Sequence, residues 1–159
     1  MARPTVFAAF GSKAALLKQV VDQALAGDDE PVPVAQRPWF QPVLQATAQE
    51  AVLDAYAAAV TLIGARAAQV FETVRRAAAD PDVADLWDVM VSNRRAGARM
   101  VIDRMETLGP LPLDADHAVD VVWFYNDPAH YAALVSQRGW PQDTFTTWLS
   151  AQLRYALLP

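Results

Sequence analysis

The chain has 159 residues, of which 53% are hydrophobic, enough for one domain with a sizeable core. It contains no cysteine, which excludes disulfides and thiolate metal sites, and its net charge of −5 argues against a nucleic-acid binder taken whole. No run of about eighteen uncharged apolar residues occurs, so we expect neither a transmembrane helix nor a signal peptide.

The charge is unevenly placed. Residues 1–21 hold Arg3, Lys13 and Lys18 and no acid, a charge of +3, which leaves −8 for the rest. Ordinary solvated surface is the bland reading of that basic end.

In chain order, Pro4 suits the first turn of a short helix with Val6, Phe7 and Phe10 on its apolar face. Gly11 ends it in a position that favours a left-handed residue, and Ser12 is a good N-cap for a second helix over Lys13–Ala26. Residues 27–42 are rich in proline and acid and read as a linker with no helix before Trp39. From about Val43 the text is helical. Val52, Tyr56, Ala59, Leu62 and Ile63 recur at three- and four-residue spacing, Gly64 is a candidate bend, and the pattern resumes through Phe71 and Val74 to Ala78. Asp80-Pro81 starts another helix, which should stop at Gly109-Pro110. Asp114 opens the next, Asp127-Pro128 a short continuation to about Gln137, and Gly139-Trp140-Pro141 the last boundary before a terminal helix. No alternating strand pattern appears, so the expected fold class is all-α.

The stretch Arg3-Pro-Thr-Val-Phe7-Ala-Ala-Phe-Gly-Ser-Lys13-Ala-Ala-Leu-Leu resembles the recognition helix and following turn of TetR/AcrR-family transcriptional regulators, which usually have Tyr where Phe7 stands. Looser echoes follow in the family's order: Ala77-Ala-Ala-Asp-Pro, Leu86-Trp, Arg94-Arg95, Val121-Val122-Trp123 and Arg138-Gly-Trp. The resemblance thus covers nearly the whole chain. The two helices that begin the family's helix-turn-helix domain, about forty residues, have no counterpart before Met1. The family often has Val at that position, and a valine codon misread as a start would explain the difference.

The resemblance implies three parts: a remnant of the DNA-binding domain at 1–26, a linker at 27–42, and a ligand-binding and dimerisation bundle at 43–159. It implies a ligand-responsive regulator, by family habit a repressor. The chain would be cytoplasmic, a homodimer, without cofactor, enzymatic activity or membrane attachment. It would bind operator DNA only with the missing helices present, because those brace the reading helix. A dimer would set two such helices about 34–36 Å apart, and a small apolar effector would change that spacing.

By position in the motif, Arg3, Thr5, Phe7 and Lys13 are the DNA-binding candidates, although Phe7 lacks the hydroxyl a Tyr would offer to phosphate. Tyr56, Phe71, Trp87, Met90, Trp123 and Tyr125, with Arg94 and Asn126 as polar groups, are candidates to line an effector cavity; plain core packing accounts for the same spacing. Val121, Phe145, Trp148, Leu149, Gln152, Leu153 and Ala156 form an apolar stripe that packs either inside the monomer or against a second copy. His117 beside Asp114, Asp116 and Asp120 hints at a metal, but a capped acidic first turn explains it, and no metal site is expected. Two further classes stay open: a helical protein-interaction module that does not bind DNA, and a small helical enzyme on an apolar substrate. No nucleophile elbow, phosphate loop or His-Glu-x-x-His motif is present to support the last.

Overall fold

Ser12 starts the first long element as its type requires. Its backbone is extended and its hydroxyl accepts the Ala15 N–H at 3.0 Å, so α1 runs Lys13–Ala26. The computed structural model describes residues 8–159, and every regular element among them is helical. Residues 8–10 are helical, and Gly11 follows at φ +80°, the left-handed value that separates them from α1. Gly27 closes α1 in the same way, at φ +89°.

The expected linker is not free of helix. It holds a 3₁₀ turn before Trp39, at Val34–Gln36, while the short α2, Gln41–Gln45, begins only after Trp39 and runs past its end. Arg37, only 4% exposed, folds this segment onto itself. Its guanidinium donates to the Asp28 carboxylate at 2.7 Å, the Glu30 carbonyl at 2.7 Å and the Val32 carbonyl at 3.0 Å.

The helical text from Val43 is broken once, at residues 46–48, before α3 runs unbroken over Gln49–Ala77. Gly64 does not interrupt it. The glycine makes room instead for the Tyr131 ring, whose Cγ lies 2.6 Å from where a Cβ would stand. By length and composition α3 could cross a membrane, yet 56% of its most apolar window is buried within the bundle. Its apolarity follows from its place: it packs against α1, α2 and α4 and the last two helices.

Asp80 caps α4, Pro81–Glu106, with Pro81 at the first helical position, where a missing N–H costs nothing. Asp114 caps α5, Ala115–Tyr125, by accepting the N–H groups of Asp116 and His117. Asp127 caps α6, Pro128–Tyr131, which continues as a π-helical turn over Ala132–Gln137. The terminal α7, Gln142–Leu157, buries Phe145, Leu149, Leu153 and Leu157 completely against α3 and α5. Each such side chain contributes roughly 1.5–3 kcal/mol of gross burial energy.

The buried apolar residues divide into two clusters. The larger joins α2, α3, the C-terminal half of α4, α5, α6 and α7 around Leu53, Ile102, Met105 and Val122. The smaller joins α1 to the C-terminal half of α3 and the N-terminal half of α4 through Val21, Phe71, Val74, Val83, Leu86 and Met90.

Candidate functional site

Arg3, Thr5 and Phe7 lie outside the described residues. Lys13, the remaining DNA-binding candidate, is half-exposed, and its ammonium pairs with the Asp80 carboxylate at 2.9 Å. Asp80 also caps α4, so one carboxylate ties the start of α1 to the start of α4. At the other end of α1, the Arg66 guanidinium donates to the Ala26 carbonyl at 3.3 Å and lies 5.7 Å from the Trp39 ring centroid.

The eight effector candidates fall into three places. Tyr56, Arg94, Trp123 and Asn126 meet in one polar network where α3, α4 and the end of α5 converge. Asn126 Nδ2 donates to the Tyr56 hydroxyl at 2.9 Å, and Arg94 Nε donates to Asn126 Oδ1 at 3.0 Å. Arg94 Nη2 donates to the Trp123 carbonyl at 2.7 Å, and the guanidinium lies 5.3 Å from the Trp123 ring centroid. Phe71, Trp87 and Met90 belong instead to the smaller cluster with α1. Tyr125 sits against Trp148 of α7, ring centroids 6.4 Å apart.

Two charged residues that no sequence signal assigns to this place complete the network. Asp127 accepts from Arg94 Nη1 at 3.3 Å and from Arg75 Nη2 at 2.9 Å, and Arg75 lies 5.1 Å from the Trp87 ring centroid. Through Arg75 and Asp127 the polar network touches the smaller cluster. Asp127 reads in sequence only as a helix cap and Arg75 only as a helix-end cation, and no spacing rule joins residues 52 positions apart.

Electrostatics follow burial. Desolvation pushes the Tyr56 phenol up to about 12, which outweighs the Asn126 hydrogen bond and the Arg94 charge, so it is a neutral donor and acceptor at every ordinary pH. Desolvation also lowers Arg94, against the attraction of Asp127. For Asp127 burial works upward. The Ala129 N–H and the Arg94 and Arg75 guanidinia together outweigh it, and the carboxyl titrates below its usual range.

The stripe assigned to dimerisation also divides. Phe145, Leu149 and Leu153 are fully buried within the single chain, whereas Val121, Trp148, Gln152 and Ala156 keep part of their surface open. Around Trp148 the rings form a connected series. Trp140 lies 6.1 Å away, Phe145 5.7 Å and Tyr125 6.4 Å, and Tyr125 continues to Phe124 at 5.2 Å. Phe124 is 56% exposed and Tyr155 91% exposed, so both ends of this face present large apolar surface to solvent.

His117 is held by Asp114, its own helix cap, and no group of three metal-ligating side chains occurs among the described residues. Two open grooves mark the surface. One, of about 460 Å³, lies between α4 and α5 and is lined by Val91, Ser92, Arg95, Asp120, Trp123 and Phe124. The other, of about 440 Å³, lies along the α3–α7 seam, where Asp54 accepts from Ser150 and Arg154 and the Thr61 and Thr146 hydroxyls meet at 2.7 Å. Comparison with protein-family models, with curated proteins and with solved structures finds no match to this chain.

Proposed function

We propose that this chain is the ligand-sensing and dimerising body of a transcriptional regulator of the TetR/AcrR type, with DNA reading dependent on helices that would precede it. The observation that carries this reading is the way α1 is attached. It follows a helix–Gly–Ser turn and is docked by its own small apolar cluster on α3 and α4, apart from the main core. A segment held in that way can move with the ends of two long helices while the bundle behind it stays packed. The polar network beside the cluster offers a place where a bound molecule could bias that movement.

The second part of the reading is a homodimer through α5 and α7. The partly open side chains Val121, Trp148, Gln152 and Ala156, flanked by Phe124 and Tyr155, supply an apolar surface for a second copy. In an isologous dimer the same patch serves both partners. The same surface also favours a helical interaction module that binds a different protein and no DNA.

Native mass spectrometry separates these. The regulator reading expects a species of twice the 17.4 kDa chain mass, with a small molecule retained from the cell. A monomer at micromolar concentration, free of any bound molecule, overturns it. A chain isolated only in complex with a different protein favours the interaction module.

A further inference from the structure

We infer that Asp127 couples the two packed clusters: its hold on Arg75 sets how firmly α1 is docked. This rests on the reading of α1 as a segment that moves apart from the bundle, and it names the contact that regulates the movement.

The two clusters share no buried residue. Asp127 stands where they meet, at the corner between α5 and α6. Its carboxylate accepts from Arg75 of α3, from Arg94 of α4 and from the Ala129 N–H at the start of α6. One carboxylate therefore joins three helices. Its Arg94 side belongs to the larger cluster, because that guanidinium also holds the Trp123 carbonyl and Asn126. Its Arg75 side belongs to the smaller one. The Arg75 guanidinium lies 5.1 Å from the Trp87 ring centroid, and Trp87 packs on the group of Val21, Phe71, Val83 and Met90 that seats α1. Among the described residues α1 makes no polar contact with Arg75 or Asp127; its polar ties to the spine are Lys13–Asp80 and Arg66–Ala26. An effect of Asp127 on α1 must then pass through Arg75 and the cluster.

Arg75 has a second carboxylate within reach. Glu72, one turn back on α3, lies at 3.8 Å against 2.9 Å for Asp127, and Glu72 is already held by Arg76 at 2.8 Å. While Asp127 is in place, a group outside α3 fixes the guanidinium beside Trp87. Without it Arg75 is left to Glu72 on its own helix, and the cation–π contact that braces α3 against α4 under α1 weakens. Docked and released α1 are the two states, and the α5–α6 corner biases the choice between them.

Amide hydrogen exchange of the full chain tests the coupling. In Asp127→Asn, which keeps a side chain able to cap α6, exchange over Lys13–Ala26 should rise about fivefold or more while α7 keeps its protection. Asp54→Asn removes another interhelix carboxylate, the acceptor of Arg154 at the α3–α7 seam, and should leave α1 unchanged. In an Arg75→Gln background, Asp127→Asn should add nothing at α1, because the route is already cut. Arg75→Gln leaves the α6 cap untouched, so it serves alone if Asp127→Asn fails to fold, and it too should raise exchange over α1. Unchanged exchange over α1, an equal rise in Asp54→Asn, or additive effects in the double variant overturns the coupling. Faster exchange of α1 than of α7 in the unaltered chain would still leave α1 a separately movable segment. Equal, slow exchange of the two in the unaltered chain overturns both the movable segment and the coupling.

Discussion

Gly64 and Gly97 are both helical glycines, and their surroundings give them opposite fates. A Cβ at Gly64 would stand 2.6–2.7 Å from the Cβ, Cγ and Cδ2 of the buried Tyr131, the body of the side chain and not its flexible end. At Gly97 a Cβ meets nothing within 4 Å. Helix propensity alone favours alanine at either site by about 1 kcal/mol. Overpacking at Gly64 reverses that sign, so Gly64→Ala should cost about 1–3 kcal/mol in urea denaturation, while Gly97→Ala should gain up to about 1 kcal/mol. Equal stabilisation by both would mean that the Tyr131 contact carries no energetic weight.

Asp127 is the other residue with a definite forecast. Its carboxyl is lowered in the folded chain, so the stability it contributes is present above the ordinary carboxylate range and is lost as pH falls through the folded value. Asp127→Asn should therefore cost roughly 1–3 kcal/mol at neutral pH, because two guanidinia lose their shared acceptor. The difference from the unaltered chain should shrink as pH falls below about 4. A constant difference across pH 2–7 would show that the loss does not depend on the charge of this carboxylate.

At the level of elements, the segment between α1 and α2 depends on one side chain. Arg37 holds Asp28, Glu30 and Val32 from inside, so Arg37→Ala should free residues 28–36 and cost roughly 1–3 kcal/mol. Limited proteolysis should then cut within 28–36 well before the rest of the chain. An unchanged digestion pattern would mean that the prolines alone keep this segment ordered.

Arg37 also shows what a sequence conveys and what it does not. Caps are local, and the Ser12, Asp80, Asp114 and Asp127 starts are all where their types imply. So is the apolar spacing of α7. The 3₁₀ turn at Val34–Gln36 and the buried Arg37 arise from contacts within a proline-rich stretch that carries no periodic signal. The π-helical turn at Ala132–Gln137 lies between α6 and α7, in contact with both and with α3, and no propensity scale encodes it. Of the candidate site, the residue types were legible and their grouping was not. Tyr56, Arg94, Trp123 and Asn126 come together only because α3, α4 and α5 cross at one point, whereas Phe71, Trp87 and Met90 are drawn toward α1.

The whole molecule is a long two-helix spine, α3 and α4, with a different load at each end. The large cluster binds α5–α7 to one part of the spine, and the small one binds α1 to the other. α1 is short enough that its helix would be marginal alone, so its order depends on Val21, which is 2% exposed, and on the Lys13–Asp80 and Arg66–Ala26 contacts at its ends. Placing a charge at the centre of that contact should detach α1 without dissolving the bundle, since burying an unpaired carboxylate costs more than the few kcal/mol a single helix face supplies. In Val21→Asp, hydrogen exchange should therefore rise to near the unfolded rate over Lys13–Ala26 and moderately at the N-terminal half of α4. The amides of α7 and of the first half of α3 should keep their protection. Loss of protection throughout the chain would show that both clusters fold as one unit, and that α1 cannot move independently of the bundle.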